Sequence, residues 1–314
     1  MYQNIWCQRN GHGICPSKAF PGCEISPLRW RYSRSVKGLS RTFDFRKALK
    51  RRCGVDILVC IKRVPDSEAQ IEVKEGNVLK IEERYTINFF DNLAVEEAIR
   101  IKEKVGGKVT VFTFGSSSSI EVLRSALAMG ADEAILIEDE NVPYKDEFVT
   151  ARILSKAIKD IPFDLILCGR EAFDTSSGLV GPFLGKMLGI PVITMVTKVE
   201  VKPEERQLEV EREIEEGKEL LRVNVPVLLT TQKGLNEPRV PTVMGLLKAM
   251  KAPIKRIKVE DLGIKPDSIV EETKVEISKL WEEKKKRRIR WIKGTPEEMV
   301  KELIELLKSE ARVL

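Results

Sequence analysis

The sequence predicts an α/β fold: a mostly parallel, doubly wound sheet with a small antiparallel part and a C-terminal helical arm. Three observations predict it. From Val55 to Leu188, apolar runs of strand length alternate with helical periodicity across short links, the pattern of a parallel sheet with helices on both faces. After Pro191 the chain changes to longer extended segments with polar turns. Beyond Lys251 it becomes highly charged and ends in one capped amphipathic helix.

The elements follow in order. Val55 to Ile61 (VDILVCI) is a near-continuous apolar run, as a central parallel strand should be. Lys62 to Asp66 reads as a turn fixed by Pro65, and Ile71 to Ile81 as a hairpin around Glu75-Gly76-Asn77. Asp91 to Lys104 reads as a helix: Leu93, Ala94, Ala98, Ile99 and Ile101 leave one charged face, and Gly106-Gly107 stop it. The strand Lys108 to Phe114 leads to Gly115 and the serines Ser116 to Ser119. They are expected to cap the helix Ile120 to Met129, with a phosphate site as the alternative. A strand from Glu133 to Ile137 precedes the helix Asp146 to Lys159.

The segment that organises the chain is Asp164 to Gly185, DLILCGREAFDTSSGLVGPFLG. Leu165 to Cys168 reads as a buried strand, ended by Gly169, and an apolar helix begins near Gly178. The polar loop between them lies where a strand's carboxyl end faces a helix N-terminus. Free N–H groups and the helix dipole favour an anion there. Thr175, Ser176 and Ser177 add hydroxyl donors, while Gly178 and Gly181 allow close approach to the backbone. Any tight strand-to-helix turn also uses small residues, so the chemistry alone leaves a structural turn open.

Val192 to Val201, Leu208 to Ile214 and Leu220 to Thr231 read as strands, with Pro226 placing the last at a start or an edge. Lys233 to Thr242 (KGLNEPRVPT) reads as an exposed loop with Leu235 as its apolar tip. Such a side chain is usually incidental, but it can seat a partner. In the last segment Thr295 is the expected N-cap, Pro296 the first helical residue and Glu298 the capping-box acid. Met299, Leu303, Ile304 and Leu307 form one stripe, which reads as a clasp on a neighbouring subunit.

Composition narrows the function. The net charge of +6 is concentrated in the first fifty residues and in Lys284 to Arg290, so the near-neutral middle argues against a nucleic-acid face. No apolar stretch reaches the roughly 20 residues of a membrane span. The cysteines form no CxxC pair; Cys60 and Cys168 fall in strand runs, and a reducing compartment is the simpler reading. The single histidine, His12, lies outside the apparent domain, so no His-based triad or metal centre is expected in the core.

Residues 1–54 are basic, acid-poor and without periodicity. They read as a disordered tail or as upstream sequence from a misplaced start, with Val55 as a plausible true beginning. A transit peptide, or a metal knot on Cys7, His12, Cys15 and Cys23, is the alternative. The expected organisation is this extension, a nucleotide-binding domain over 55–253 and an arm over 254–314.

Several stretches resemble the beta subunit of electron transfer flavoprotein. They are AVEEAIRIKEK at Ala94 to Lys104, ALAMGAD at Ala126 to Asp132, CGREAFD at Cys168 to Asp174, VEREIEEGKELLRVNVPVLLT at Val210 to Thr230, and LNEPR at Leu235 to Arg239. The resemblance runs from about Val55 to the C-terminus. It implies a heterodimer with an alpha subunit that holds most of a redox-active FAD, the arm wrapping onto that subunit. It implies a second nucleotide in this chain, AMP in simple carriers or a second FAD in electron-bifurcating members. Partners would be acyl-CoA-type or other flavin dehydrogenases and a quinone reductase. The setting would be the cytoplasm, or the mitochondrial matrix in a eukaryote.

Carried over by motif, the second nucleotide would be met near Cys60, by Asn88, Phe89, Phe90 and Asp91, and by Phe114. It would also be met along Gly169, Arg170, Glu171, Ala172, Phe173, Asp174, Thr175, Ser176, Ser177, Gly178, Leu179 and Val180. The resemblance further implies that Phe90 reaches the alpha-bound flavin and that Leu235 is the docking leucine. No residue is expected to act as acid, base or nucleophile, because the flavin carries the electrons. The sequence departs from the pattern in places. Thr175 to Leu179 (TSSGL) lacks the acidic, amide-containing loop of simple carriers. Val180-Gly181-Pro182 and Val64-Pro65-Asp66 look more like bifurcating members, whereas LNEPR looks like simple carriers.

Two rivals share this kind of fold. One is an ATP-binding, universal-stress-like homodimer, which would be colourless where a flavoprotein is yellow. The other is an ATP pyrophosphatase, which needs a Ser-Gly-Gly-x-Asp-Ser-like loop where this chain has Lys62 to Asp66.

Overall fold

The computed structural model describes residues 54–74, 78–139, 146–264, 271–275, 280–281, 290–311 and 313. All lie in the larger of the chain's two units, Leu49–Leu314. The expectations for 1–53, for the Glu75-Gly76-Asn77 turn and for the basic run before Arg290 fall outside the described residues.

Strand β1 (Ile57–Cys60) is buried throughout and leads to β2 (Arg63–Pro65), β3 (Ile71–Lys74), β4 (Val78–Ile81) and β5 (Tyr85–Ile87). Helix α1 (Phe89–Val105) is followed by β6 (Val109–Gly115), α2 (Ile120–Met129), β7 (Glu133–Glu138) and α3 (Glu147–Ile158). Next come β8 (Leu165–Gly169), α4 (Val180–Leu188), β9 (Val192–Lys202), β10 (Gln207–Ile214), β11 (Gly217–Asn224) and β12 (Val227–Thr231). Helix α5 (Val243–Lys251), β13 (Lys255–Lys258) and α6 (Pro296–Leu306) complete the chain.

Nine strands form one sheet in the order β11-β10-β9-β12-β8-β1-β6-β7-β13. It is parallel from β9 through β12 to β13, and antiparallel where β10 and β11 extend β9. This is the α/β class that the alternation predicts. The two faces bury different residues, because successive strand side chains point to opposite sides. Ile57 and Val59 of β1 pack with α1 and α2, whereas Leu58 and Cys60 pack with α3 and α4. Each such fully buried aliphatic side chain is worth about 1.5–3 kcal/mol. The 71–81 hairpin is present as β3 paired antiparallel with β4. Among the described residues no helix is long and apolar enough to cross a membrane.

Four expectations need correction. Arg63–Pro65 is not a turn but a strand paired antiparallel with β5; its proline sits on a two-stranded ribbon, where a missing N–H is tolerated. Leu220 to Thr231 is two strands, β11 at the sheet edge and β12 near its middle, divided at the cis Val225–Pro226 bond. Neither Ser116, at the start of the turn, nor Ser119, at the N-cap of α2, caps with its side chain. Ser116 hydrogen-bonds Ser118 (2.7 Å), and a 3-10 turn over Ser117–Ser119 leads into the helix. Finally, the chain past Lys251 still contributes to the core: β13 pairs with β7, and Val259 and Ile264 are buried.

Helix α6 carries the expected capping box, with reciprocal bonds between Thr295 and Glu298. Val300, Leu303 and Ile304 on it are exposed.

Candidate functional site

A cleft of about 470 Å³ opens at the carboxyl ends of β1, β6 and β8. Strand β1 is followed on one side by β6 and β7, and the chain then returns to lay β8 on its other side. Strand order thus reverses between β1 and β8, the switch point where open α/β sheets leave a crevice for ligands. Cys60 and Cys168, opposite each other in the β1–β8 register, line its base. The N-terminus of α4 forms one side. Leu179 precedes that helix without capping it by a side chain, and Gly178 adopts the left-handed φ of +64°.

The N-terminus of α1 holds both walls together. Asn88 is buried, and its amide is engaged at both ends. Nδ2 donates to the Glu171 carbonyl (2.8 Å), and Oδ1 accepts from the Phe173 N–H (2.9 Å). Asp91 lies one helical turn on. Its Oδ2 accepts from the Lys62 N–H (2.7 Å) and its Oδ1 from the Gly169 N–H (2.8 Å). Burial pushes the Asp91 carboxyl up to about 7, despite these bonds and the nearby Lys62 ammonium. Residue 169 must be glycine for this approach: a Cβ would stand 2.4 Å from Asp91 Oδ1 and 2.8 Å from Phe90 Cβ.

The two basic side chains that line the cleft are paired with acids. Lys62 Nζ meets Asp174 at 2.7 Å, and Arg170 meets Glu171 at 2.5 Å while lying over the Phe90 ring at 5.1 Å. Burial, then the negative charge of Asp91, pushes the Cys60 thiol up to about 12. Burial, then Cys60 and Asp91, raises Cys168 as well. Both thiols stay protonated near neutral pH and are poor nucleophiles.

Of the residues singled out in the sequence, the cleft brings together Cys60, Asn88, Asp91, Phe114, Gly169 to Ala172, Asp174, Thr175 and Ser177 to Val180. Phe89, Phe90, Phe173 and Ser176 do not line it. Asn88 and Asp91 are three residues apart and share a side of the first turn of α1, which turns Phe89 and Phe90 elsewhere. Phe173 is 58% exposed, and Ser176 sits at a strained φ of +50° with its N–H bonded back to Ala172. Sequence reasoning missed Lys62, Asp139, Glu147 and Thr150, which also line the cleft. Glu147 and Thr150 share the first turn of α3 and come from a distant part of the chain with no motif to mark them. Ser116 lines the cleft as well, at the junction where a phosphate site is the alternative to a helix cap.

The Lys233 to Thr242 loop is irregular as expected, but Leu235 is not an exposed tip. It is half-buried and packs against the core. The loop is fixed to α1. Asn236 Nδ2 donates to the Leu93 carbonyl (3.1 Å) and to Glu97 (2.9 Å). Arg239 Nε donates to Glu96 (2.9 Å), and its Nη atoms donate to Glu103 (2.6 and 3.0 Å). Burial alone would raise the Glu96 carboxyl, but hydrogen bonds from Arg239 and Arg100 outweigh it and the net shift is downward. The apolar side chains that do face outward lie near the end of the loop and at the start of α5: Val240, Val243 and Met244 are 87%, 73% and 75% exposed.

The family model for the electron transfer flavoprotein domain matches residues 77–262. The electron transfer flavoprotein subunit beta of Bacillus subtilis is 38% identical over 261 residues, covering 83% of this chain and 100% of that protein. The subunit of the same name from Thermoanaerobacterium thermosaccharolyticum is 44% identical over 212 residues, 67% of this chain and 81% of its own length. The caffeyl-CoA reductase-Etf complex subunit CarD of Acetobacterium woodii is 39% identical over 215 residues, 68% and 81% of the two chains. A switch-point cleft in a doubly wound sheet and a matching sequence along most of its length agree: this chain belongs to the beta-subunit family of electron transfer flavoproteins.

Proposed function

We propose that this chain binds a second adenine nucleotide, AMP or FAD, in the switch-point cleft. It pairs with an alpha subunit that holds most of the redox-active FAD, and docks dehydrogenases so that this flavin can carry electrons. The observation that carries the reading is the cleft itself: its position, its glycine-lined entry and its hydroxyl side chains suit an adenine nucleotide. Lys62 and Arg170 already have acidic partners. A phosphate would therefore be met by main-chain N–H groups and hydroxyls of Thr175 to Val180, at the positive end of α4. The flavin supplies the electron chemistry, and this chain supplies position and access.

Docking of partner dehydrogenases falls to the Lys233 to Thr242 loop and the start of α5. Leu235 is half-buried, so Val240, Val243 and Met244 provide most of the apolar surface offered there. The exposed apolar residues of α6 serve the alpha subunit. The name of the Acetobacterium woodii relative supports a partner that acts on an acyl-CoA-type substrate.

Nucleotide extraction from the purified heterodimer tests the reading. One FAD and one AMP per dimer identifies the simple carrier, and two FAD identifies the electron-bifurcating form. A colourless protein that pairs with itself and carries ATP would refute both.

A further inference from the structure

We propose that Asp91 is the positioning residue of the cleft: its buried carboxylate ties the exit of β1 to the exit of β8 and so sets the opening that a nucleotide enters. The inference rests on the nucleotide reading above and extends it to a group that would not touch the ligand. Each carboxylate oxygen already accepts a backbone N–H, Lys62 at 2.7 Å and Gly169 at 2.8 Å. Those two residues lead into the opposite walls of the cleft. The absence of a side chain at 169 is a second, independent sign, since a Cβ there would stand 2.4 Å from the carboxylate. A brace between adjacent parallel strands at their switch point is needed because the ladder stops there. Past the Cys60–Cys168 pair β1 and β8 no longer pair with each other; the Ile61 N–H still reaches the Phe112 carbonyl, but the N–H groups of Lys62 and Gly169 need another acceptor, and Asp91 supplies it.

The brace works fully only when ionised. A protonated carboxyl turns one acceptor into a donor facing an N–H group, so one of the two ties is lost. The groups around Asp91 leave it alone in titrating near neutral pH. The Cys60 and Cys168 thiols are held protonated by burial. The Lys62 ammonium pairs with Asp174, Arg170 pairs with Glu171, and Asn88 on the same helix turn carries no charge. Nucleotide binding, which needs both walls in place, would release a proton from Asp91 in this range.

The test compares wild type and Asp91→Asn in the nucleotide-free heterodimer, with AMP as the probe because AMP and FAD share it. The amide variant keeps the shape but opposes one N–H with an NH₂ group. Calorimetric titration should show AMP binding weakened by about tenfold or more, as expected for the loss of one buried tie. Wild-type affinity should fall as pH drops through about 7, and this dependence should be much weaker in the variant. Without nucleotide, the Lys62 and Gly169 amides should exchange hydrogen faster in the variant, while those of Val111 and Leu167 stay unchanged. Equal affinity with equal pH dependence, or unchanged exchange at Lys62 and Gly169, would overturn the proposal. Wild type that takes up no AMP would refute the nucleotide reading alone, and the exchange comparison would still decide the brace. If the variant does not fold, wild type suffices: protection of the two amides must drop as pH falls through about 7, and constant protection overturns the inference.

Discussion

Helix α1 secures two loops, and it does so by opposite means at its two ends. At its N-terminus the Asn88 amide and the Asp91 carboxylate engage backbone groups around the cleft, and the two side chains also hydrogen-bond each other. Further along, Glu96 and Glu103 grip the Arg239 guanidinium of the 233–242 loop. The first arrangement leaves a buried acid without a direct cationic partner and raises it to about 7; the second matches a buried acid with a fork of charge and lowers it. At the cleft, main-chain N–H groups are held in place by a carboxylate that makes no direct ion pair. In the 233–242 loop, bidentate ion pairs to Arg239 provide rigidity.

Arg239→Ala removes the guanidinium that ties the loop to α1. Glu96, only 3% exposed, would lose its principal partner, with Arg100 alone remaining. Stability should fall by about 3 kcal/mol, read from the urea midpoint, and backbone amides from Leu235 to Arg239 should lose protection. Gly169→Ala attacks the other end. The added methyl would press on the Asp91 carboxylate and the Phe90 Cβ, and a loss of about 2 kcal/mol is expected for such overpacking.

The pH dependence of stability sharpens the contrast, because the two ends carry opposite signs. The Asp91 pKa is raised on folding, so its contribution is greatest below about 4 and declines as pH rises to about 7. Asp91→Asn should remove that decline. The Glu96 pKa is lowered, so its contribution is present above the ordinary carboxylate range and is lost as pH falls through the folded value. Glu96→Gln should remove that loss, and a variant pair that changes the profile in the same direction would contradict the assignment. The smallest stability effect is expected from Val243→Ser with Met244→Ser, within about 0.5 kcal/mol because both side chains are exposed. Electron exchange with a partner dehydrogenase should nonetheless slow. An unchanged rate would remove these residues from the docking surface.

Much of the fold was legible because its central strands are buried on both faces. Runs such as VDILVC and LILC admit few other readings. The hairpin and the α6 capping box were equally plain, since their turn and cap residues act locally. What escaped depended on long-range pairing. Arg63 to Pro65 looks like a turn until Tyr85 to Ile87 is brought alongside it. Lys255 to Lys258 (KRIK) has no apolar run, because an edge strand beside β7 need bury only Ile257 in part. The 169–180 loop of the cleft could be read from its glycines and hydroxyls, but Glu147 and Thr150 arrive through tertiary packing alone. Leu235 was misjudged because a loop leucine looks exposed in sequence, whereas the Asn236 and Arg239 bonds draw it against the core.

The strand at the β13 border has a consequence for how copies of the molecule meet. It is four residues long, and three of them, Lys255, Arg256 and Lys258, are basic. Unpaired strand borders invite edge-to-edge growth, and brevity with like charge is a common natural deterrent. Among the described residues β13 is the last strand on this side of the sheet, and two such like-charged borders would repel before their backbones could zip together.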